Sequence, residues 1–295
     1  MSQVITLDNV TMAYNGTNVL SNLNLNVEEG TVYAFLGRNG TGKTTTIKVL
    51  LGLLKQQCGE VSVLGKNPMT QGKSLMQDIG YVSEDCILYD WMTASEIISL
   101  TSTFYKNWDH NFERELIQRL SIKEDRKICK MSRGEKGRLG LLLALAYRPK
   151  LLLLDEPTSG LDSVVRRQFI EEAIELISQE GRTIFFSTHL IDEVERIADH
   201  VGILSSGSMR MDTTVEELKA SFRSVRAFFS KDVNEVQAPV DVFNFRRFNR
   251  EILFFTEMFS ENIVDDLKKQ GASKVEVNSM SLDDIFVEAT KMEDK

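Results

Sequence analysis

The chain has 295 residues, 42% apolar and 26% charged, with 43 acidic side chains against 35 basic ones and a formal charge of −8. These values describe an ordinary globular protein with room for one large or two modest domains, and the acidic balance argues against broad electrostatic binding to nucleic acid. The apolar stretches, such as Leu141–Ala146 and Leu151–Leu154, are too short to span a membrane, and Met-Ser-Gln-Val opens no basic-then-apolar leader. Cys58, Cys86 and Cys129 are isolated thiols without metal-ligand spacing, so a soluble chain in a reducing cytoplasm is expected.

The first thirty residues read as strands joined by tight turns. Leu23, Leu25 and Val27 alternate with asparagines, and Glu28-Glu-Gly30 turns the chain into the apolar run Val32–Leu36, read as a buried strand. Gly37-Arg-Asn-Gly-Thr-Gly-Lys-Thr44 follows, a complete G-x-x-x-x-G-K-T. Ile47, Leu50, Leu51 and Leu54 come next at helical spacing. Gly37, Gly40 and Gly42 let the backbone curl, so that its N–H groups face an anion where a helix presents its positive end. Arg38, Asn39, Thr41 and Thr45 complete this phosphate-binding stretch. Lys43 reaches the β- and γ-phosphates, and the Thr44 hydroxyl ligates Mg²⁺. A Gly-rich turn that binds nothing would not need this strand–loop–helix setting, and a bound nucleoside triphosphate is implied.

Short strands are expected at Glu60–Leu64 and Ile79–Val82, and a helical stretch from about 85 to 130. Strand character returns at Leu151–Leu154, Thr183–Ser187 and Val201–Leu204, separated by helical patterns. This alternation predicts a mainly parallel α/β sheet with the 85–130 segment inserted into it. Leu151-Leu-Leu-Leu-Asp155-Glu156 is apolar on both strand faces and ends in two carboxylates, where open parallel sheets bind their ligands. Asp155 is placed to hold Mg²⁺ opposite Thr44, and Glu156 to orient and deprotonate an attacking water. The bland alternative is that the two acids end a strand and face solvent. Beyond Ser221 the composition shifts to short strands rich in Phe and Arg, a helix from Ser260 to Gly271, a strand at Lys274–Val277 and a last helix opening at Ser281. Residues 1–221 are thus expected to form the nucleotide-binding domain and 222–295 a small α+β appendage.

With these motifs in order, residues 1–220 resemble the ATP-binding subunit of an ABC transporter. The resemblance implies a P-loop core with an N-terminal antiparallel β subdomain and a helical insertion. Tyr14 falls where the family stacks an aromatic ring on adenine; taken alone it reads as a surface tyrosine. Met131-Ser-Arg-Gly-Glu135 falls where the family has Leu-Ser-Gly-Gly-Gln, which implies that Ser132 and Gly134 meet the γ-phosphate held by a partner subunit. Ser159-Gly-Leu-Asp162 matches the loop that communicates across the subunit interface. His189, in Ser187-Thr-His-Leu190, matches the histidine that contacts the γ-phosphate and helps hold the water and Glu156 in register. Two departures stand out: Glu84 occupies the place of a glutamine that touches Mg²⁺ and the membrane partner, and Arg133 and Glu135 replace Gly and Gln. The 90–110 segment is similar to bacterial exporter-type subunits of the acetoin-utilisation and antibiotic-responsive kind.

The resemblance implies an ATPase using ATP and Mg²⁺, with catalytic Lys43, Glu156 and His189 and metal contacts from Thr44, Asp155 and Glu84. Its implied partners are a second copy or a similar ATPase subunit and a multi-span membrane permease, at the inner face of the membrane; no nucleic acid is expected. Two other classes compete, a non-transport ABC ATPase and a non-hydrolysing nucleotide-dependent scaffold. The chain shows neither the long coiled coil nor the tandem cassette of the non-transport branches. Trp91, Met92, Phe104, Tyr105 and Trp108 leave two readings open, core packing or a groove for a helix of the membrane partner. Arg246, Arg247 and Arg250 form a compact basic group, read as a solvated strand face.

Overall fold

Alternating apolar and asparagine residues in the opening segment build two long strands, β1 (Gln3–Tyr14) and β2 (Thr17–Glu28), paired antiparallel with Leu7 opposite Leu25. Leu23, Leu25 and Val27 are buried while Asn22, Asn24 and Asn26 face outward. The computed structural model describes residues 2–178, 181–234, 236–240, 242–257 and 259–291. It divides into two units, Met1–Asp212 and Thr213–Lys295.

In the first unit β1 also pairs antiparallel with β4 (Cys58–Val63), which gives a three-stranded sheet in the order β2-β1-β4. The second sheet of this unit uses β3 (Val32–Leu36), β5 (Ile79–Val82), β6 (Leu151–Asp155), β7 (Thr183–Thr188), β8 (His200–Ser205) and β9 (Ser208–Thr214), in the order β5-β6-β7-β3-β8-β9. The neighbouring pairs from β5 to β8 are parallel. Every residue of β3, β6 and β7 is buried, as a sheet covered on both faces demands. Phe185 lies at its centre, fully buried, with ring centroids 5.5 Å from Tyr33 and 5.3 Å from Phe35. Burial of a side chain of this size contributes about 1.5–3 kcal/mol.

Helix α1 (Lys43–Leu50) leaves β3 through the Gly-rich loop and buries Ile47, Val49 and Leu50. A short helix not foreseen from the sequence, α2 (Pro68–Leu75), starts where the Asn67 side chain accepts from the N–H groups of Met69 and Thr70. The inserted region holds α3 (Ala94–Ser102), capped by a Thr93–Glu96 capping box, and α4 (His110–Arg119), capped by Asp109. A 3₁₀ turn at Ile128–Lys130 leads to α5 (Arg133–Leu145). Helices α6 (Ser163–Ser178) and α7 (Ile191–Ile197) flank β7 in sequence.

The open aromatic positions of the insertion divide between both readings. Met92 is buried, Tyr105 stacks on Tyr147 at 3.6 Å, and Trp108 Nε1 donates to Glu113 at 2.6 Å. Trp91 and Phe104 project, at 71% and 66% exposure.

The division at Asp212 falls ahead of the composition shift, because α8 (Val215–Ser221) goes with the second unit. That unit is an antiparallel sheet of β10 (Arg223–Phe229), β11 (Val242–Phe248), β12 (Glu251–Thr256) and β13 (Ala272–Ser279), in the order β11-β12-β10-β13. Helices α9 (Glu261–Lys269) and α10 (Leu282–Lys291) complete it. Alternate strand residues Val225, Ala227, Ile252 and Phe254 pack with Ile263 and Leu267 of α9 into its core. Arg246, Arg247 and Arg250 are exposed, and Arg247 Nη2 donates to the Val236 carbonyl at 2.8 Å.

Candidate functional site

In a parallel sheet the loops leaving the carboxyl ends of adjacent strands meet on one side. Here those after β3, β6 and β7 enclose a cleft of about 350 Å³, within the range of small-molecule pockets. Asn39, Gly40 and Gly42–Thr45 line it, with Tyr14 of β1, itself 42% exposed. Glu84, Glu156, Ser159 and His189 face the same space.

The loop is shaped by close backbone approach. Gly42, just before α1, has φ 111°, and a Cβ there would sit 2.9 Å from the Val19 carbonyl oxygen. At Gly37 a Cβ would meet Thr41 Oγ1 at 2.6 Å and the Leu204 carbonyl oxygen at 2.8 Å. Both positions require glycine. The Thr41 hydroxyl donates to the Arg38 carbonyl at 2.9 Å, which tightens the turn. Helix α1 then starts at Lys43, so its first-turn N–H groups lack intrahelical acceptors and its positive dipole end faces the cleft.

Lys43 is only 4% exposed, and Nζ donates to the carbonyls of Gly37 (2.7 Å) and Arg38 (3.1 Å). It also lies 2.9 Å from Glu156 Oε1. The other Glu156 oxygen, Oε2, is 2.7 Å from His189 Nδ1. Glu156 has φ 43°, an uncommon conformation for a residue with a side chain. It is held there by its own N–H, which donates to Ser187 O (3.2 Å) and Ser187 Oγ (3.0 Å). The acid at the end of β6 is therefore turned out of the strand direction and into the cleft.

Asp155 lies behind this pair, 2% exposed, and accepts from Ser187 Oγ at 2.8 Å and Thr44 Oγ1 at 3.2 Å. Burial holds its carboxyl above the usual carboxylate range. The Ser187 and Thr44 hydrogen bonds pull it back, and the charges of Glu156 and Glu84 push it further up. Of the three acids here, Glu156 is the one paired with the buried Lys43, while Asp155 is held by the Ser187 and Thr44 hydroxyls. The Thr44–Asp155 oxygen pair suits a hard cation such as Mg²⁺, which takes one or two protein ligands and fills its shell with phosphate oxygens and water. Among the described residues no group of three or more His, Cys, Asp or Glu forms a metal cage.

Glu84 lines the cleft, but its Oε1 accepts from Ser159 Oγ at 2.8 Å. Arg133 stands beside it, with Nη2 3.9 Å from Glu84 Oε1, 3.8 Å from Asp85 Oδ1 and donating to the Glu84 carbonyl at 3.4 Å. A Cβ at Gly160 would lie 2.2 Å from Arg133 Nη1, so the guanidinium rests on that glycine. Glu84 and Arg133, two of the three residues that depart from the family pattern, therefore neighbour each other.

Ser132 and Gly134 do not line the cleft of their own chain. Ser132 caps α5: its Oγ accepts from Glu135 N at 3.3 Å, while its N–H donates to Glu135 Oε2 at 2.8 Å. A glutamine could close the same capping box; what Glu135 adds is the ion pair of its carboxylate with Arg126. The Ser132 N–H above all, and Arg126 at 2.5 Å, hold its carboxyl below the usual range. Sequence reading missed Ser187, and also a buried hydrogen-bond chain through Thr158, Glu193 and Thr188. Ser187 pairs in register with Asp155, but it is one of three hydroxyl residues in Thr183–Thr188 and did not stand out; Glu193 gave no signal, being one of several acids in a short helix.

Comparison with known proteins agrees with this geometry. Residues 20–159 match the ABC transporter family. The bacitracin transport ATP-binding protein BcrA of Bacillus licheniformis is 31% identical, over 97% of this chain and 97% of its own length. The lantibiotic transport ATP-binding protein SrtF of Streptococcus pyogenes is 31% identical over 71% of this chain and 90% of its own. A solved ATP-binding subunit of an ABC transporter superposes with a TM-score of 0.67 at 26% identity, covering 74% of this chain and 92% of that one. An ATP-binding cassette solved as a dimer in a post-hydrolysis state, with ADP and phosphate bound, gives a TM-score of 0.64 at 25% identity over 72% of this chain and 98% of that one.

Proposed function

The chain belongs to the ATP-binding proteins of ABC transporters, a nucleotide-binding and ATP-hydrolysing family, and from that premise we propose how its residues divide the work. The observation that carries the assignment is the convergence of Lys43, Glu156 and His189 within 2.9 Å and 2.7 Å contacts at the mouth of the phosphate loop. In this reading the loop Gly37–Thr45 wraps the phosphates, Lys43 neutralises the β- and γ-oxygens, and Tyr14 stacks on the base. Thr44 and Asp155 would hold Mg²⁺, with Glu84, which lines the same cleft, joining through water; when bound, the ion would offset phosphate charge. Glu156 accepts a proton from the attacking water, and His189 keeps that carboxylate aimed while meeting the γ-phosphate.

Ser132 and Gly134 lie outside the cleft of their own chain, which supports a composite site completed by a second copy or a similar subunit arranged head to tail. The test is oligomeric state. Size-exclusion chromatography with saturating MgATP is expected to show a dimer, and a persistent monomer would overturn the composite site. Among the described residues no helix is long and apolar enough to cross a membrane. In this reading a multi-span permease supplies the path through the membrane, with this chain at its inner face. An apolar groove of about 290 Å³, lined by Leu53, Met76, Tyr81, Tyr105 and Leu143, supports docking of a short permease helix, with Trp91 and Phe104 exposed on the same insertion. The similarity to bacitracin and lantibiotic transport proteins supports export as the direction.

The Glu84–Arg133 juxtaposition gives a prediction of its own. Near phosphates an extra carboxylate is unfavourable, and Arg133 offsets it. Both side chains are more than two-fifths exposed, so the effect is small, on the order of 0–1 kcal/mol. Arg133→Gly alone is expected to lower ATP turnover by about two- to fivefold, and Glu84→Gln added to it to recover most of that loss. Additive losses in steady-state assays would show that the two residues act independently.

A further inference from the structure

Glu193 is a buried acid with no part in the nucleotide assignments above. It sits in the first turn of α7, 7% exposed, four residues after His189. Its Oε1 accepts from Thr158 Oγ1 and its Oε2 from Thr188 Oγ1, both at 2.6 Å, and both threonines are 2% exposed. Hydroxyl-to-carboxylate bonds of this length are charge-assisted and stronger than neutral ones. The Thr188 hydroxyl also accepts from the Leu190 N–H at 3.0 Å, which fixes its rotamer. Arg166 Nε, on α6, lies 4.0 Å from Glu193 Oε1, and Arg166 Nη2 donates to the Leu161 carbonyl at 3.1 Å. One carboxylate thus ties the turn after β6, through Thr158, to the end of β7, through Thr188.

The positions of those segments give the network its meaning. Thr158 follows Glu156 by two residues, across Pro157, in a turn closed by Ser159 N donating to the Glu156 carbonyl at 3.0 Å. Thr188 is the last residue of β7 and immediately precedes His189. Glu156 and His189 meet at 2.7 Å in front of the site, and Glu193 joins the backbones that carry them from behind. A buried carboxyl is costly unless its oxygens are paired. Here each oxygen of Glu193 serves one threonine, which gives both hydroxyls a common, rigid acceptor.

We propose that Glu193 is a positioning residue for hydrolysis: it holds the loop after Glu156 and the residue before His189 in fixed relation, through Thr158 and Thr188. The inference rests on the roles assigned above to Glu156 and His189. It predicts that Glu193 governs the chemical step and leaves nucleotide affinity alone, because neither Lys43 nor the loop Gly37–Thr44 is among its hydrogen-bonding partners.

The test uses the full chain with ATP and Mg²⁺. Glu193→Ala is expected to lower single-turnover hydrolysis by between about 10- and 100-fold, the scale of a small misplacement of catalytic groups. ATP affinity by calorimetry should stay within about twofold of wild type, and Glu193→Gln, which keeps one acceptor in place, should recover part of the rate. Thr158→Val/Thr188→Val should reproduce most of the loss, and adding Glu193→Ala to that pair should change little further. An unchanged rate in Glu193→Ala, equal losses of affinity and rate, or additive losses in the triple variant would each overturn the proposal. Glu156→Gln run alongside separates the two assignments. If it too turns over normally, the roles of Glu156 and His189 fail; if it is inactive while Glu193→Ala is normal, only the role of Glu193 fails.

Discussion

Glu156→Gln is expected to bind ATP with near wild-type affinity while turnover falls by about 10²- to 10⁴-fold, the usual contribution of a positioned general base. The geometry makes this separation sharp. The amide is nearly the same shape, so it keeps the left-handed turn at φ 43° and the main-chain bonds to Ser187. It also keeps a polar contact for His189, 2.7 Å away in the native chain. Lys43 retains the carbonyls of Gly37 and Arg38, and the loop that wraps the phosphates is untouched. What is lost is proton acceptance, together with the negative charge opposite Lys43. In the proposed reaction the water oxygen bonds to the γ-phosphorus, its proton passes to the Glu156 carboxylate, and the bond to the β–γ bridging oxygen breaks to leave ADP and phosphate. Without an acceptor the ATP-bound dimer persists, and it should accumulate in size-exclusion chromatography with MgATP. Single-turnover hydrolysis at the wild-type rate would remove Glu156 from the role of base.

Why Glu156 was legible in advance, while much of its support was not, follows from the range of the interactions involved. Gly37–Thr44 encodes its own conformation locally: the glycines permit the turn, Val32–Leu36 supplies a strand buried throughout, and Lys43 begins the helix. The Leu151–Leu154 run is likewise self-describing, since a strand apolar on both faces has only the middle of a parallel sheet to occupy. Helix α2 was missed because Pro68–Leu75 carries Thr, Gln, Gly and Ser and breaks helical geometry at Gln71, so its periodicity is weak. Strand β9 was missed for a similar reason, Ser208–Thr214 being mostly polar and only half buried, whereas α8 carried a capping box, Thr214 with Glu217, that went unread. The pairing of Glu84 with Ser159 and Arg133 joins residues 75 and 49 positions apart, and nothing local in the sequence announces it. Glu193 is the extreme case. Its helix reads as an exposed acidic turn, and only the fold shows that this one carboxylate points inward to two threonines.

Lys43→Ala is expected to produce the opposite phenotype from Glu156→Gln, although the two side chains are partners in one ion pair. Lys43 is 4% exposed, and its ammonium is held at the base of the loop by two carbonyls. In such a shielded position a charge acts on bound phosphate far more strongly than it would in water. Its removal should weaken ATP binding by about a hundredfold or more, which at 1.4 kcal/mol per tenfold is roughly 3 kcal/mol. Lys43→Arg should not restore it, because a planar guanidinium cannot enter a slot bounded by the Gly37 and Arg38 carbonyls without moving the loop. With affinity lost, MgATP at concentrations that dimerise the wild-type chain should leave this variant monomeric. The variant also leaves Glu156, 11% exposed, without its lysine. Removing one partner of a buried pair destabilises, so thermal unfolding without nucleotide should shift downward as well. Calorimetry decides between phosphate recognition and a purely structural ion pair. If Lys43→Ala binds ATP normally once folded, the lysine serves Glu156 alone; if affinity falls by two orders of magnitude in a folded variant, the cation that pairs with Glu156 is also the one that grips the phosphates.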